Sequence, residues 1–178
     1  MSVFRSASLA ILIVFALLFA GCASGPTAER YLAAGAHDKT YDGFLAYRAL
    51  KDLVIEGRFE KALCARLRQA GHACVPMLAI AMPTSPQDST TRQRAMRTSG
   101  AQAALVIELI DPTTTSRQLL ADGAPAYRVS VIDTKTQAIM ARLAIENPRD
   151  ANDLAARADA VAVATTRALE DAGLLQPR

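Results

Sequence analysis

Three cysteines, Cys22, Cys64 and Cys74, are the residues of this chain best suited to covalent chemistry. A thiol can lie buried in a core, form half of a disulfide, or be the atom through which a chain is fastened to something else. The thiolate is also a strong nucleophile and metal ligand. The residues around each cysteine therefore decide which of these roles the sequence predicts.

The residues before Cys22 have the order of a secretory signal peptide. A short polar start containing Arg5 precedes an uninterrupted apolar run at residues 9–19, which Ala20 and Gly21 follow. This order of charged, apolar and small residues is typical of a cleaved export signal. Because the apolar run is shorter than the ~20 residues that a spanning helix needs, the sequence favours a signal over a permanent transmembrane helix.

The stretch Leu-Phe-Ala-Gly-Cys at residues 18–22 resembles the lipobox of bacterial lipoproteins, with Phe19 where that motif usually has leucine. The resemblance implies that the Cys22 thiol takes a diacylglycerol, that the preceding bond is cut, and that the freed amine is acylated. At about 0.8 kcal/mol per buried CH₂, two or more acyl chains give stable anchoring. The alternative is that Cys22 is an ordinary residue at the end of a cleaved signal or of an uncleaved anchor.

The residue after the cysteine bears on the compartment. Ala23 stands where an aspartate would retain an enterobacterial lipoprotein in the inner membrane, and the resemblance therefore implies sorting to the outer membrane. We expect a signal peptide at residues 1–21, a lipidated N-terminus and tether at 22–40 with a helical turn around 28–34, and a periplasmic domain at 41–175. The membrane, contacted through lipid on Cys22, is the first expected partner.

If Cys22 carries lipid, the remaining cysteines form an even pair in a compartment that permits disulfides. Cys64 lies seven residues before Gly71 on a predicted helix, and Cys74 lies three residues after it on a predicted strand. Both thiols then lie about 10 Å from the turn, at 1.5 Å per helical residue and 3.3 Å per strand residue. The spacing favours a Cys64–Cys74 disulfide over the alternative of two separately buried thiols.

Catalytic and metal sites have no recognisable signature in this sequence. His37 and His72 fall in the tether and in a turn, outside any zinc-ligand spacing, and we expect exposed polar side chains there. Neither a nucleophile-elbow serine nor a glycine-rich phosphate loop is present. Glu108 and Asp111 flank a strand end, where an enzyme site could lie, but a carboxylate there is more often an arginine partner. We predict a non-catalytic protein without cofactor or metal.

A group of arginines is the clearest candidate for a binding surface in the sequence. Arg92, Arg94 and Arg97 lie on or beside a predicted short helix, with Arg117 further along the chain. They form a candidate surface for an anionic partner, namely lipid headgroups, glycan carboxylates or an acidic protein. The alternative is a solvated helix face. The net charge of +3 is too small to predict a nucleic-acid partner.

Hydrophobic periodicity predicts the elements that position these residues. Strands are expected at residues 44–49, 73–80, 103–110, 127–133 and 138–145, with the second in the middle of a covered sheet. Helices are expected from about residue 55 to Gly71, at 89–98 and at 154–172. The result is a single α/β domain of order β-α-β-α-β-β-β-α. Its mixed sheet has a parallel core, an antiparallel extension made by a hairpin, and helices packed on it.

One longer pattern is similar to a group of small uncharacterised proteobacterial lipoproteins. Residues 58–76 read R-F-E-K-A-L-C-A-R-L-R-Q-A-G-H-A-C-V-P, and residues 100–106 read G-A-Q-A-A-L-V. These stretches match the R-x-F-E-x-x-L-x-x-x-L-x-x-x-G-x-x-A-V-P and G-A-D-A-V-L-V patterns of that group. The resemblance implies the α/β architecture of the TolB amino-terminal domain and of lipoprotein activators of penicillin-binding proteins. It implies fold and compartment, not a reaction.

The function expected from the sequence is that of a lipid-anchored accessory protein. We expect the domain to dock onto an envelope protein or assembly at the periplasmic face of the outer membrane, where the lipid raises its local concentration. One alternative is an envelope hydrolase or transferase whose site is scattered along the sequence. Another is a structural component of a larger envelope complex, which would use an exposed sheet edge.

Overall fold

The computed structural model describes residues 28–49, 52–110, 127–146 and 151–177. The strands are β1 (Ala28–Leu32), β2 (Gly43–Arg48), β3 (Ala73–Pro76), β4 (Ala103–Leu109), β5 (Tyr127–Asp133) and β6 (Ile139–Ile145). The helices are α1 (Leu53–Gln69), α2 (Met77–Ile80), α3 (Ser89–Thr98) and α4 (Leu154–Asp171), with a short 3₁₀ helix at Ala36–Asp38.

The strands form one six-stranded mixed sheet in the order β1-β6-β5-β4-β2-β3. β2 pairs in parallel with β3 on one side and with β4 on the other. The pairs β4–β5, β5–β6 and β6–β1 are antiparallel. The predicted α/β class, with a parallel core and an antiparallel extension, is confirmed. β3 is an edge strand, so the prediction that it lies in the middle of the sheet was wrong.

One face of the sheet carries the main hydrophobic core. The two long helices α1 and α4 pack against each other and against this face. Their buried apolar residues recur every three or four positions, as in Phe59, Leu63 and Leu67 of α1. They meet inward-facing strand residues such as Phe44 and Leu143. The periodicity that predicted these helices is therefore the pattern that fills the core.

The opposite face is covered over only part of its width. The short helices α2 and α3 lie over β2 and the start of β4, where a second cluster buries Leu45, Met77, Ala81, Met96 and Ala104. Within the described residues, Ile132 near the end of β5 also packs against this cluster, but no residue of β6 or β1 belongs to it. The structure thus has a complete helical layer on one face and a partial layer on the other.

Each helix of ten or more residues begins at an aspartate cap. The carboxylates of Asp52, Asp88 and Asp153 accept hydrogen bonds from backbone N–H groups in the first turns of α1, α3 and α4. Such caps satisfy amide donors that have no partner within the helix. Gly71, which follows α1, has a φ of 92° and turns the chain back into β3, as its predicted place past the helix end requires.

Strand β1 lies in a segment that the sequence placed in the tether. The predicted helical turn around residues 28–34 was wrong: residues 28–32 pair with β6 as an edge strand. Arg30 forms an ion pair of 3.1 Å with Asp171 of α4, on the core side of the sheet. The central residues of β1 are exposed, so this strand lacks the apolar alternation from which a strand is predicted.

The second predicted strand is half as long as expected. β3 stops at Pro76, and residues 77–80 form α2 instead of continuing the strand. Proline has no N–H to donate to a sheet ladder and is tolerated at strand edges and at helix starts. The N–H of Leu78 donates to the Glu60 carboxylate at 2.9 Å, which stabilises the turn into α2.

The predicted disulfide between Cys64 and Cys74 is present, with the two Cα atoms 5.0 Å apart. Both cysteines are buried, and the bridge joins the last turns of α1 to β3. Arg68, one turn further along α1, donates to the carbonyl oxygen of Cys74. The helix and the strand that follows it are therefore connected both covalently and by a hydrogen bond.

Candidate functional site

The predicted arginine surface is not continuous. Arg94 and Arg97 are exposed on α3, but Arg92 points inward and is only 7% exposed. The prediction that Arg92 belongs to a surface for an anionic partner was therefore wrong, because an acid inside the protein already compensates its charge. Arg117, Asp111 and the predicted lipidation site Cys22 lie outside the described residues.

The partner of Arg92 is Glu56, which is fully buried on α1. Two N–H groups of the guanidinium donate to the two carboxylate oxygens, at 2.5 and 3.2 Å. The guanidinium carbon also lies 4.5 Å from the centre of the Tyr47 ring. Burial is the largest single influence and would lower the pKa of Arg92, but the hydrogen bond to Glu56 and the charges of its neighbours together raise it. This pair joins α1 to α3 and has a structural role.

Glu60, one turn after Glu56, is a second fully buried acid. Its carboxylate accepts from the backbone N–H of Arg48 at 3.3 Å and from that of Leu78 at 2.9 Å. Burial raises the pKa of Glu60 to about 8, although the two backbone hydrogen bonds act in the opposite direction. At neutral pH the carboxyl group is therefore largely protonated.

Arg48, at the end of β2, is buried without an acceptor among the described residues. Its guanidinium carbon lies 3.8 Å from the centre of the Phe59 ring and 5.2 Å from that of Tyr127. The ring faces attract the cation. Burial nevertheless lowers the pKa of Arg48 to about 10.

This cluster of buried ionisable side chains was not predicted from the sequence. Its signal was the position of Glu56 and Glu60 beside the apolar stripe of α1, because two acids on the inward face of a helix require partners in the core. The pattern predicts that cations or backbone donors lie opposite them. The pattern does not identify the partner residues, because Arg92 is 36 residues from Glu56 in the chain.

Glu108 pairs with an arginine, as the more frequent of the two predicted alternatives requires. Its carboxylate lies 3.2 Å from Nε of Arg128, the residue directly opposite on β5. Both side chains remain more than a third exposed. Glu108 thus forms a cross-strand ion pair on the sheet surface.

The two histidines have different surroundings. His37 is exposed, as expected. His72 is 5% exposed, so the expectation of an exposed side chain was wrong there; its Nδ1 lies 3.0 Å from the Asp42 carboxylate. In the part of the chain that the structure describes, no three His, Cys, Asp or Glu side chains are grouped so that they could hold a metal ion.

The part of the sheet that lies beyond the second apolar cluster, among the described residues, is a candidate interaction surface. The pairing register places two rows of side chains on this face, one from Val106 through Ser130 and Arg142 to Tyr31, the other from Glu108 through Arg128 and Ala144 to Glu29. We call these eight residues the open face. It combines an aromatic ring, 61% exposed at Tyr31, with two arginines, two acids and smaller residues, of which Ser130 is only 6% exposed.

Comparison with known proteins gives a likeness in fold at low identity. No protein-family model matches the chain, and no curated protein does. PelC in a dodecamer from Paraburkholderia phytofirmans is 12% identical, with a TM-score of 0.49 over 85% of this chain and 99% of that one. A single-substitution PelC variant, also a dodecamer from that organism, is 14% identical, with a TM-score of 0.47 over 86% and 99%. At these identities no residue role carries over.

Proposed function

We propose that the protein is a lipid-anchored binding protein of the bacterial cell envelope, which docks onto another envelope protein through the open face. The observation that carries the proposal is that, among the described residues, the second apolar cluster reaches only β4 and the end of β5, whereas the main core extends over the other face from β2 to β6. Tyrosine and arginine, both present there, are enriched in the energetically dominant parts of protein interfaces. The mixture of apolar and paired charged groups is typical of a non-obligate contact.

Two features support the compartment. The lipobox-like stretch at residues 18–22 supports attachment through Cys22 at the periplasmic face of the outer membrane. A disulfide such as Cys64–Cys74 is typical of proteins in oxidising compartments. Within the described residues, no helix is long and apolar enough to cross a membrane.

The position of β1 specifies how the anchor would orient the domain. β1 begins at Ala28, six residues after Cys22, and so at most about 20 Å from it. Ala28 pairs with Ile145, at the end of the sheet where β2 and β4 also finish. With Cys22 in the membrane, the start of β1 would lie within about 20 Å of the attachment point, and the open face would be within reach of a neighbouring envelope protein.

Site-specific photocrosslinking in the intact envelope tests the docking surface. A photoreactive residue at position 31 or 142 samples the open face, and one at position 163, on the exposed side of α4, is the matched control. We expect positions 31 and 142 to crosslink the same envelope protein, and position 163 not to. Equal yields at all three positions, or none above background, would show that the open face is not a docking surface.

A further inference from the structure

A cleft lies at the carboxyl end of β3, between the first turns of α1 and the segment that connects β3 to α3. It has a volume of about 700 Å³ and opens where β2 and β3 end. Ligands of α/β proteins bind outside the carboxyl ends of the parallel strands. The volume is within the range of small-molecule sites, about 300–1,000 Å³. Place and size are therefore those of a ligand site.

The walls of this cleft are apolar. Leu53 and Val54 line it from α1, while Leu78, Ala79 and Pro83 line it from the opposite side. Val54 is 69% exposed, so its side chain is accessible to an apolar ligand. Gly57 contributes to the depth, because a Cβ at that position would lie 3.4 Å from Cδ1 of Leu78 and would narrow the gap. An alkyl chain fits this lining.

The charge at the rim is positive. Arg58 and Lys61 line the cleft from adjacent turns of α1, three residues apart, and both are exposed. Two acids are close by. Asp52 is engaged by the N–H groups of Val54 and Ile55, and Glu60 at the floor is bound by two backbone N–H groups and has its pKa raised by burial to about 8. At neutral pH, the floor therefore does not oppose an anion.

We propose that this cleft binds a monomeric, single-chain anionic amphiphile, with its alkyl chain against Leu53, Val54 and Leu78 and its anionic head between Arg58 and Lys61. The occupant follows from charge complementarity, since a cationic ligand would be repelled at the rim and an uncharged one would leave both cations unused. A bilayer surface fits less well, because the surface is concave. The cleft opens at the same end of the sheet at which β1 begins, so contact with the bilayer is the alternative that the test must separate. The proposal does not require that Cys22 carries lipid or that the open face binds a partner.

The test uses the full chain in phosphatidylcholine nanodiscs and a photoactivatable 12-carbon carboxylate, with the matching alcohol as the uncharged probe. We expect the carboxylate to label the segments around Val54 and Leu78, and free dodecanoate, but not butyrate, to abolish the labelling. Arg58→Gln/Lys61→Gln should reduce labelling by the carboxylate at least tenfold and leave labelling by the alcohol unchanged. Arg66→Gln, an exposed cation further along α1, is the matched control and should have no effect.

Ala79→Trp provides a second variant that does not alter charge. Ala79 is exposed on the cleft wall, so an indole there occupies the site and should abolish labelling by both probes. Labelling spread evenly over the surface, or unchanged by the double charge variant, would overturn the proposal. So would labelling that dodecanoate does not compete but that phosphatidylglycerol in the disc does, because that result would indicate contact with a bilayer surface.

Discussion

The guanidinium of Arg92 donates hydrogen bonds to both carboxylate oxygens of Glu56, and this buried pair connects helix α3 to helix α1. One residue comes from a helix whose remaining arginines are exposed, and the other from the inward face of a core helix. The pair therefore explains why only one of the three arginines on α3 is withdrawn from solvent.

Removing one partner of this pair should destabilise the fold strongly. Arg92→Ala leaves Glu56 as an uncompensated buried acid, and breaking a buried pair in this way costs about 3–5 kcal/mol. We expect a loss of that size in the free energy of unfolding measured with urea. Arg94→Ala, an exposed arginine of the same helix, is the control and should change it by less than about 0.5 kcal/mol. A loss that small for Arg92→Ala would show that the pair contributes little.

Glu60 should give the protein a pH-dependent stability. Its pKa in the folded protein, about 8, is above the ordinary value of 4.5, so the folded state holds a proton that the unfolded state releases. The stabilisation is fully present below about pH 4.5 and is lost as the pH rises through about 8. Relative to Glu60→Gln, the wild-type protein should lose on the order of 4 kcal/mol between pH 5 and pH 9. Parallel stability curves would contradict this.

Arg48 can be tested by an apolar replacement of similar volume. A buried guanidinium without an acceptor carries a desolvation cost that methionine does not. We expect Arg48→Met to leave the free energy of unfolding equal or higher, and Arg48→Ala to lower it by about 2–4 kcal/mol because a cavity forms beside Phe59. If the methionine variant lost more than about 2 kcal/mol, the contacts of the guanidinium with the rings would outweigh its desolvation.

The disulfide should contribute measurably to stability. Cys64 and Cys74 are separated by only 10 positions, and a loop this short is worth about 2–3 kcal/mol in the chain-entropy description. Reduction with dithiothreitol, or the double variant Cys64→Ala/Cys74→Ala, should lower the urea midpoint accordingly. The reductant should have no effect on the double variant. An unchanged midpoint after complete reduction of the wild-type protein would contradict the prediction.

Much of the fold was predictable because its long elements bury one regular stripe each. The stripe at Ile55, Phe59 and Leu63 predicted α1, and Asp153 and Gly173 bracket the predicted last helix. Helix crossovers between the first strands predicted parallel pairing, and this is confirmed. The elements that were not predicted are short. The central residues of β1 are exposed, and α2 is a four-residue helix after Pro76.

The candidate sites were less predictable than the fold, because they depend on contacts between distant parts of the chain. Sequence spacing placed Arg92 beside Arg94 and Arg97, although its partner Glu56 belongs to another helix. The open face depends on where the described helices lie on the sheet, and the cleft depends on the close approach of Gly57 to Leu78. Neither is a property of a local pattern.

Attachment of the protein to the membrane through Cys22 is tested most directly by mass spectrometry of the N-terminal peptide from the envelope-purified protein. The predicted result is a chain that begins at Cys22, carries a thioether-linked diacylglycerol and an acylated amine, and fractionates with the outer membrane. Cys22→Ser should lack the lipid. A wild-type chain that retains residues 1–21, or that begins at or near Cys22 with an unmodified thiol, would contradict the proposed anchor.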